Sequence, residues 1–378
     1  DWDKQKEQVR NRIQISNRIE INNLISKLRT YFEKFENTNI SNGKTPTYQE
    51  VKNYYLLFFD MPNKDNNKPT LLEYFDAFIN RPENIRALKS GTIKIYKLTK
   101  NFLTRYSEEK GHFDFDNIDL EWYNEFVEWC ENQNFKSNYI GKHIRVLKSL
   151  LNDALANEIT TNVKFKHKKF KVLKEDAESI YLNELELQKL FKQNLQNNPT
   201  HDKARDLFLI GAYTGLRVSD YSNLTGKNII TVKGQTILKV QTEKTEKIVA
   251  IPLHPTVRAV LNKYNGLPPS KMSHQTINKK IKDVAEWAGI DSVISTSSTI
   301  GGKRVTSDNF KFELVKTHTG RRSFCTNAYL SGMPTIDIMT ISGHTSEKTF
   351  LNYIKATPEE KALKIASHAF FNPILKAI

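Results

Sequence analysis

The residues best placed to do chemistry lie near the C-terminal end of this 378-residue chain. Between residues 315 and 357 the sequence runs Val-Lys-Thr-His-Thr-Gly-Arg-Arg-Ser-Phe, then Ile-Ser-Gly-His-Thr-Ser, then Asn-Tyr-Ile-Lys-Ala-Thr. His318 and Arg321 are three apart, so at a helix start they share one face. His344 follows Gly343 at an expected turn between two helices, where an imidazole can point into a cleft. Tyr353 comes nine residues later, about two and a half helical turns, on a short amphipathic stretch. A basic cleft with a phenol, two imidazoles and a guanidinium, and no carboxylate cluster, suits chemistry on a phosphate diester.

Cutting a nucleic-acid strand without hydrolysis needs a nucleophile that keeps the phosphate bond energy in a covalent link. A tyrosine phenol can attack phosphorus and later leave when a sugar hydroxyl returns. Charge on the non-bridging oxygens of the pentavalent transition state needs fixed cationic donors. Paired guanidiniums offer a bidentate geometry that lysine cannot. The leaving 5′ oxygen needs a proton, which a lysine desolvated among phosphates and arginines can supply.

The block resembles the signature of the tyrosine recombinases, the phage-integrase family, sharply over residues 210–357 and more loosely over about 70–378. The resemblance implies a role for each matching residue. Thr214-Gly-Leu-Arg-Val-Ser-Asp220 matches the first arginine motif, with Arg217 as phosphate clamp and Asp220 orienting the site. Lys244 looks like the catalytic lysine and general acid, with Lys247, Lys239 and Lys233 as rivals. His318 and Arg321 fit His-x-x-Arg, His344 follows its Gly, and Tyr353 is the nucleophile. Either histidine could handle the nucleophile's proton or hydrogen-bond the phosphate. His318 is assigned the base role, and His344 a phosphate-binding and Tyr-orienting one. Arg322 is out of the three-residue register from His318. Gly320 and Ser342 stand where many members carry Leu. Each piece alone is weak: a lone Arg after Gly-Leu is more often a surface or cap residue, and a lone Tyr more often core. Their joint occurrence in order gives the signal.

The elements that must hold these residues are mostly helical. Apolar positions Ile21, Leu24, Ile25, Leu28, Phe32 and Phe35 predict a helix over about 9–35. Thr47 with Glu50 opens a second, through Phe59, and 61–69 reads as a linker. Thr70 with Glu73 starts a helix over 71–80, and amphipathic helices follow at 92–106, 119–132 and 137–157. In the last, Ile140, Ile144, Leu147, Leu151 and Ala154 share a face, with Lys142, Arg145 and Lys148 off it. Downstream come helices at 183–195 and 202–214, a three-stranded antiparallel meander over 228–253, and helices at 255–264 and 274–288. A hairpin is expected over 292–315, and the remainder is helical.

The expected fold is mainly α, with an α+β catalytic domain carrying a small antiparallel sheet. Residues 1–66 form an N-terminal helical segment, read as the remnant of an arm-type DNA-binding domain. A SAM-like helical core-binding domain spans 67–161, a basic linker 162–178, and the catalytic domain with its C-terminal tail 179–378. The chain opens at Asp1 without Met, so it is expected to be a piece of a longer protein. The apolar tail from His368 is expected to dock on a neighbouring protomer.

A net charge of +15, from 57 Lys plus Arg against 42 Asp plus Glu, favours a polyanionic partner. Lys142, Arg145, Lys148, Lys164, Lys166, Lys168, Lys169 and Lys171 are the candidate DNA contacts outside the site. Two cysteines, Cys130 and Cys325, make neither a disulfide framework nor a cysteine metal site. No His-Glu-x-x-His, Cys-x-x-Cys or ATP-binding Gly-x-x-x-x-Gly-Lys loop is present, and the inferred reaction needs neither metal nor cofactor. No apolar run reaches the ~20 residues of a membrane span. The expectation is a bacterial, cytoplasmic site-specific recombinase, an integrase of a mobile element, monomeric when free. On double-stranded DNA it acts as a homotetramer, with a DNA-bending accessory protein as a further partner. The alternatives are a type IB topoisomerase-like relaxase and a catalytically silent DNA-binding regulator.

Overall fold

The structure, a computed structural model, describes residues 18–41, 68–176 and 178–366, together with 2, 3, 6, 8, 9, 43–48, 50, 51, 54, 55, 58, 370 and 371. Two-residue strands β1 (Trp2–Asp3) and β2 (Gln8–Val9) pair antiparallel. Helix α1 runs Arg18–Ser41, six residues beyond the predicted end at 35, and Val9, the predicted start, lies in the strand pair. None of its residues is fully buried, but Tyr31 and Phe35 each lie 4.2 Å from the Tyr54 ring. Of the second expected helix, the described residues 48, 50, 51, 54, 55 and 58 are helical, and the rest lie outside the described residues. Its capping box is formed, with Thr47 N–H donating to the Glu50 carboxylate at 2.7 Å. Most of the tail from His368 is also outside them.

The chain divides into two units, Asp1–Tyr123 with Arg145–Phe170, and Asn124–Ile144 with Lys171–Ile378. The first contains α2 (Leu71–Asn80), α3 (Pro82–Ala87), α4 (Ser90–Lys110), the start of α5 (Leu120–Asn132) and the second half of α6 (Ser137–Ala156). The Thr70–Glu73 capping box starts α2 as read from sequence. Leu71, Phe75, Leu103, Leu147 and Leu151 are buried, and Tyr74 donates to Asp153 at 2.6 Å, tying α2 to α6. The first part of the stretch read as a basic linker, up to Phe170, is pinned inside this unit. Phe165 and Phe170 are buried, and Phe170 packs on Tyr123 with ring centroids 4.5 Å apart. The lysines between these two anchors remain exposed.

The second unit is built round α8 (Pro199–Thr214), which follows α7 (Glu184–Lys192). Every residue of α8 from Ala204 to Thr214 is buried, as befits a helix apolar on most sides. After α9 (Val218–Tyr221) comes an antiparallel sheet in the order β3 (Ile229–Val232), β4 (Gln235–Gln241), β5 (Ile248–Pro252). Leu238, Val240, Val249 and Ile251 alternate inward and join the core. Helices α10 (Pro255–Lys263) and α11 (His274–Trp287) follow, then a hairpin of β6 (Val293–Ile300) and β7 (Lys303–Phe310) turning at Gly301-Gly302. The hairpin tip meets residues of the same unit: Gly301 N–H donates to Phe135 O, and Thr299 N–H to the Glu175 carboxylate at 2.9 Å. Short α12 (Lys311–Leu314) leads to α13 (Thr317–Leu330), α14 (Thr335–Ser342), α15 (Glu347–Leu351) and α16 (Pro358–Ala366).

Helix α13 carries His318 and Arg321 and lies hard against α8. A Cβ on Gly320 would stand 3.3 Å from Ala212 N and 3.4 Å from Phe208 O, and flanking Thr319 and Ser323 are fully buried. The small residue thus sets the spacing of the two helices. Gly320→Leu should lower folding stability by about 1–3 kcal/mol through overpacking. A denaturant melt checks it, and an unchanged midpoint would contradict the close approach.

Candidate active site

Arg321 is one turn into α13 and 1% exposed, so its charge must be met by protein groups. Nη1 donates to Gly215 O at 2.6 Å and to Ser342 O at 2.7 Å, and Nη2 donates to His344 Nε2 at 2.9 Å. Both carbonyls come from helix ends. Gly215 caps α8 in the left-handed conformation (φ 66°), and a Cβ there would strike the Phe324 ring at 2.4 Å. Gly343 caps α14 in the same way (φ 69°) and turns the chain so that His344 points back into the site.

His344 is buried, and its partners define its tautomer. Ser342 Oγ donates to Ile338 O at 2.6 Å, so it accepts from His344 Nδ1–H at 2.7 Å. Nε2 is then the lone-pair nitrogen that receives Arg321. Burial and the neighbouring Arg321 and Arg217 charges push the His344 pKa down to about 3, keeping the ring neutral. In this arrangement His344 positions Arg321 and stacks edgewise on Tyr353, with ring centroids 4.7 Å apart.

Tyr353 sits in a turn after α15. The nine residues from His344 are therefore not one helical run, because the chain breaks at His344-Thr345 before α15 begins. The Tyr353 hydroxyl is 3.2 Å from His318 Nε2, and the Arg321 guanidinium carbon lies 5.3 Å from its ring centre. Buried Thr326 holds this turn to α13: its Oγ1 donates to Tyr353 O at 3.2 Å and accepts from Lys355 N–H at 3.0 Å. His318 stands at the open edge of the site. Desolvation, then the charges of Arg322, Arg321, Arg217 and Lys244, push its pKa down to about 4.

Arg217 is the N-cap residue of α9, close enough to Arg321 to lower that guanidinium's pKa after burial itself. Asp220, 5% exposed, accepts from Glu243 N–H at 2.9 Å and so ties the β4–β5 turn to the Arg217 segment. Lys244 is the next residue, and its charge reaches His318. Rival Lys233 lies in the β3–β4 turn, at the opposite end of an antiparallel meander, and Lys239 lies within β4. Lys247 is on the same turn as Lys244. Arg217, Lys244, His318, Arg321, His344 and Tyr353 are thus brought together, with Asp220 behind them. Arg217 Nη1 and Arg321 Nε are buried and have no acceptor among the described residues.

The candidate DNA contacts outside the site are scattered in character. Lys148 donates to Phe170 O at 2.8 Å, and Lys142 lies 4.3 Å above the Tyr139 ring. Burial lowers the pKa of both. Lys164 approaches Asp119 at 3.5 Å, while Arg145, Lys166, Lys168, Lys169 and Lys171 are exposed. Among the described residues no cluster of His, Cys, Asp and Glu could hold a metal. Sequence reading missed Ser342 and Thr326 as supports. Ser342 was visible only as a polar residue where Leu is usual, and Thr326 only as the residue two turns beyond His318.

A phenol held by an imidazole beside two guanidiniums defines a phosphodiester transferase with a tyrosine nucleophile. The chain belongs to the phage integrase family, the tyrosine site-specific DNA recombinases. The family model described as phage integrase SAM-like domain matches residues 70–172, and the phage integrase family model matches 181–360. Among solved structures, the Tn1549 transposon integrase (residues 82–397) in complex with circular intermediate DNA is 17% identical. That match covers 78% of this chain and 99% of that one, with a TM-score of 0.56. A lambda integrase tetramer bound to a Holliday junction is 17% identical over 79% and 86%, with a TM-score of 0.57. XerH recombinase bound to palindromic difH substrate is 17% identical over 84% and 89%, at 0.54. At this identity the structural likeness speaks for the fold. No curated protein matches the chain.

Ser342→Ala removes the acceptor of a buried imidazole N–H. It should cost about 1–3 kcal/mol of folding stability in a denaturant melt. Unchanged stability would show that the hydroxyl is not engaged.

Proposed function

We propose that this recombinase cleaves and rejoins duplex DNA through a 3′-phosphotyrosyl link on Tyr353, in the integration or excision of a mobile element. The observation that carries the reading is the pair of buried guanidinium nitrogens without acceptors, on Arg217 and Arg321, beside Tyr353. A buried donor left unpaired is costly, and the non-bridging oxygens of a scissile phosphate would satisfy both. The Tyr353 hydroxyl gives its proton to His318 Nε2 as its oxygen bonds to phosphorus. The bond from phosphorus to the 5′ oxygen then breaks, and Lys244 protonates that oxygen. Rejoining runs the same steps backwards, so bond energy is conserved and no nucleotide is spent.

The division into a core-binding domain, a basic linker and a catalytic domain draws support from the two family matches, which part between 172 and 181, so the SAM-like match takes in most of the 162–178 stretch. The lambda integrase neighbour is a tetramer on a Holliday junction, and we assign this chain the same working assembly on paired sites. We place its action in the bacterial cytoplasm, on nucleoid DNA. Among the described residues no helix is long and apolar enough to cross a membrane.

A nicked suicide duplex, made from the ends of the element that encodes the protein, should trap a covalent adduct in EDTA. Tyr353→Phe should trap none while still binding. An adduct surviving in that variant would move the nucleophile elsewhere.

The pH dependence follows from His318. A histidine pKa lowered from 6.5 to about 4 keeps the acceptor neutral well below neutrality. The second-order rate of adduct formation reports the free enzyme. It should therefore stay level from pH 8 down to about pH 5, and be lost only as the imidazole protonates below that. A fall centred near 6.5 would contradict the depressed pKa and the base role with it.

A further inference from the structure

His318, Arg322 and Thr326 recur every fourth residue along α13 and so form one stripe on its surface. Both ends of the stripe are bonded to the turn that carries the nucleophile. His318 meets the Tyr353 hydroxyl, and Thr326 holds Tyr353 O and Lys355 N–H. Arg322, between them, is bracketed beneath residues 353–355. Its charge is near enough to act on the His318 imidazole, the Tyr353 phenol and the Lys355 ammonium.

Arg322 and Lys355 are each partly buried. Burial lowers the pKa of both, and for Lys355 the Arg322 charge adds to it. Neither side chain forms a hydrogen bond or ion pair with a described residue. Asp176 favours the Lys355 charge but stays beyond ion-pairing distance. Two neighbouring cations, desolvated and mutually repelling without an anion between them, are unfavourable in the free protein. Arg217 and Arg321 already provide for the scissile phosphate, so the missing anion is a different one. A DNA strand laid across Tyr353 carries its next phosphates into this position without further cost.

Resting on the recombinase reading above, we propose that Arg322 and Lys355 form a second phosphate site, which takes a backbone phosphate flanking the scissile one on the strand that Tyr353 attacks. The pair then fixes the strand on the nucleophile's side, while Arg217 and Arg321 fix the reacting group itself. Bound phosphate also relieves the repulsion that the free protein carries there.

The test uses the full chain on the nicked suicide duplex, with single phosphates flanking the scissile one replaced in turn by neutral methylphosphonate. At one flanking position the replacement should slow adduct formation by wild type on the order of tenfold, the worth of a charge-assisted contact. R322Q and K355Q should be slower on the natural duplex and should lose most of that sensitivity at the same position. R322K keeps the charge and should retain the sensitivity, which separates a lost contact from a damaged fold. Wild type and both Gln variants responding equally at every position, with adduct still formed, would overturn the second site and leave the recombinase reading standing. No adduct from wild type on any such duplex would overturn the reading beneath it.

Discussion

The site depends on one buried charge. Arg321 has almost no contact with solvent, and an ion in that position is stable only if its donors are met. It reaches the end of α8 through Gly215 O, the end of α14 through Ser342 O, and the following turn through His344. Helix α13, the end of α8 and the segment Ser342–His344 are therefore held in one geometry by one planar fork. The helix ends can serve because their last carbonyls have no partner within the helix, and left-handed glycines turn the chain away to leave them open.

Other groups are fixed to this centre by hydrogen bonds from buried side chains. Asp220 catches the backbone of Glu243, so the Lys244 turn follows the Arg217 segment. Thr326 catches the backbone on both sides of Ile354, so the Tyr353 turn follows α13. Each uses a short side chain on a rigid element to hold a loop. Such supports position a functional group without touching the substrate.

Charge is arranged in the opposite sense. Arg217, Arg321, Arg322, Lys244 and Lys355 gather near two neutral histidines, and Arg217, Arg321, Arg322 and Lys355 form no ion pair among the described residues. Their mutual repulsion weakens the free state and is relieved when phosphate enters. The excess of 57 basic over 42 acidic residues is the same imbalance seen at the scale of the chain.

The chemistry was legible because it needs particular side chains in a set order. Tyr353, Arg217, Arg321 and the two histidines could be named from local motifs, and the helices from their apolar period and capping boxes such as Thr70–Glu73. The β3–β5 meander was readable too, since alternation along Leu238 and Val240 reports one buried face. Other features rest on contacts between residues distant in sequence, which no local pattern encodes. Sequence read the lysine-rich stretch as a basic linker, and only packing showed Phe165 and Phe170 pinning it. Sequence set Arg322 aside for its register, and only the fold laid the Tyr353 turn across it. Spacing allowed Lys233, Lys239, Lys244 and Lys247 alike. The bond from Glu243 to Asp220 is what brings Lys244's neighbourhood to the site. Side-chain type determined what this protein can do; the close packing of α8 against α13 at Gly320 decided which of those side chains meet.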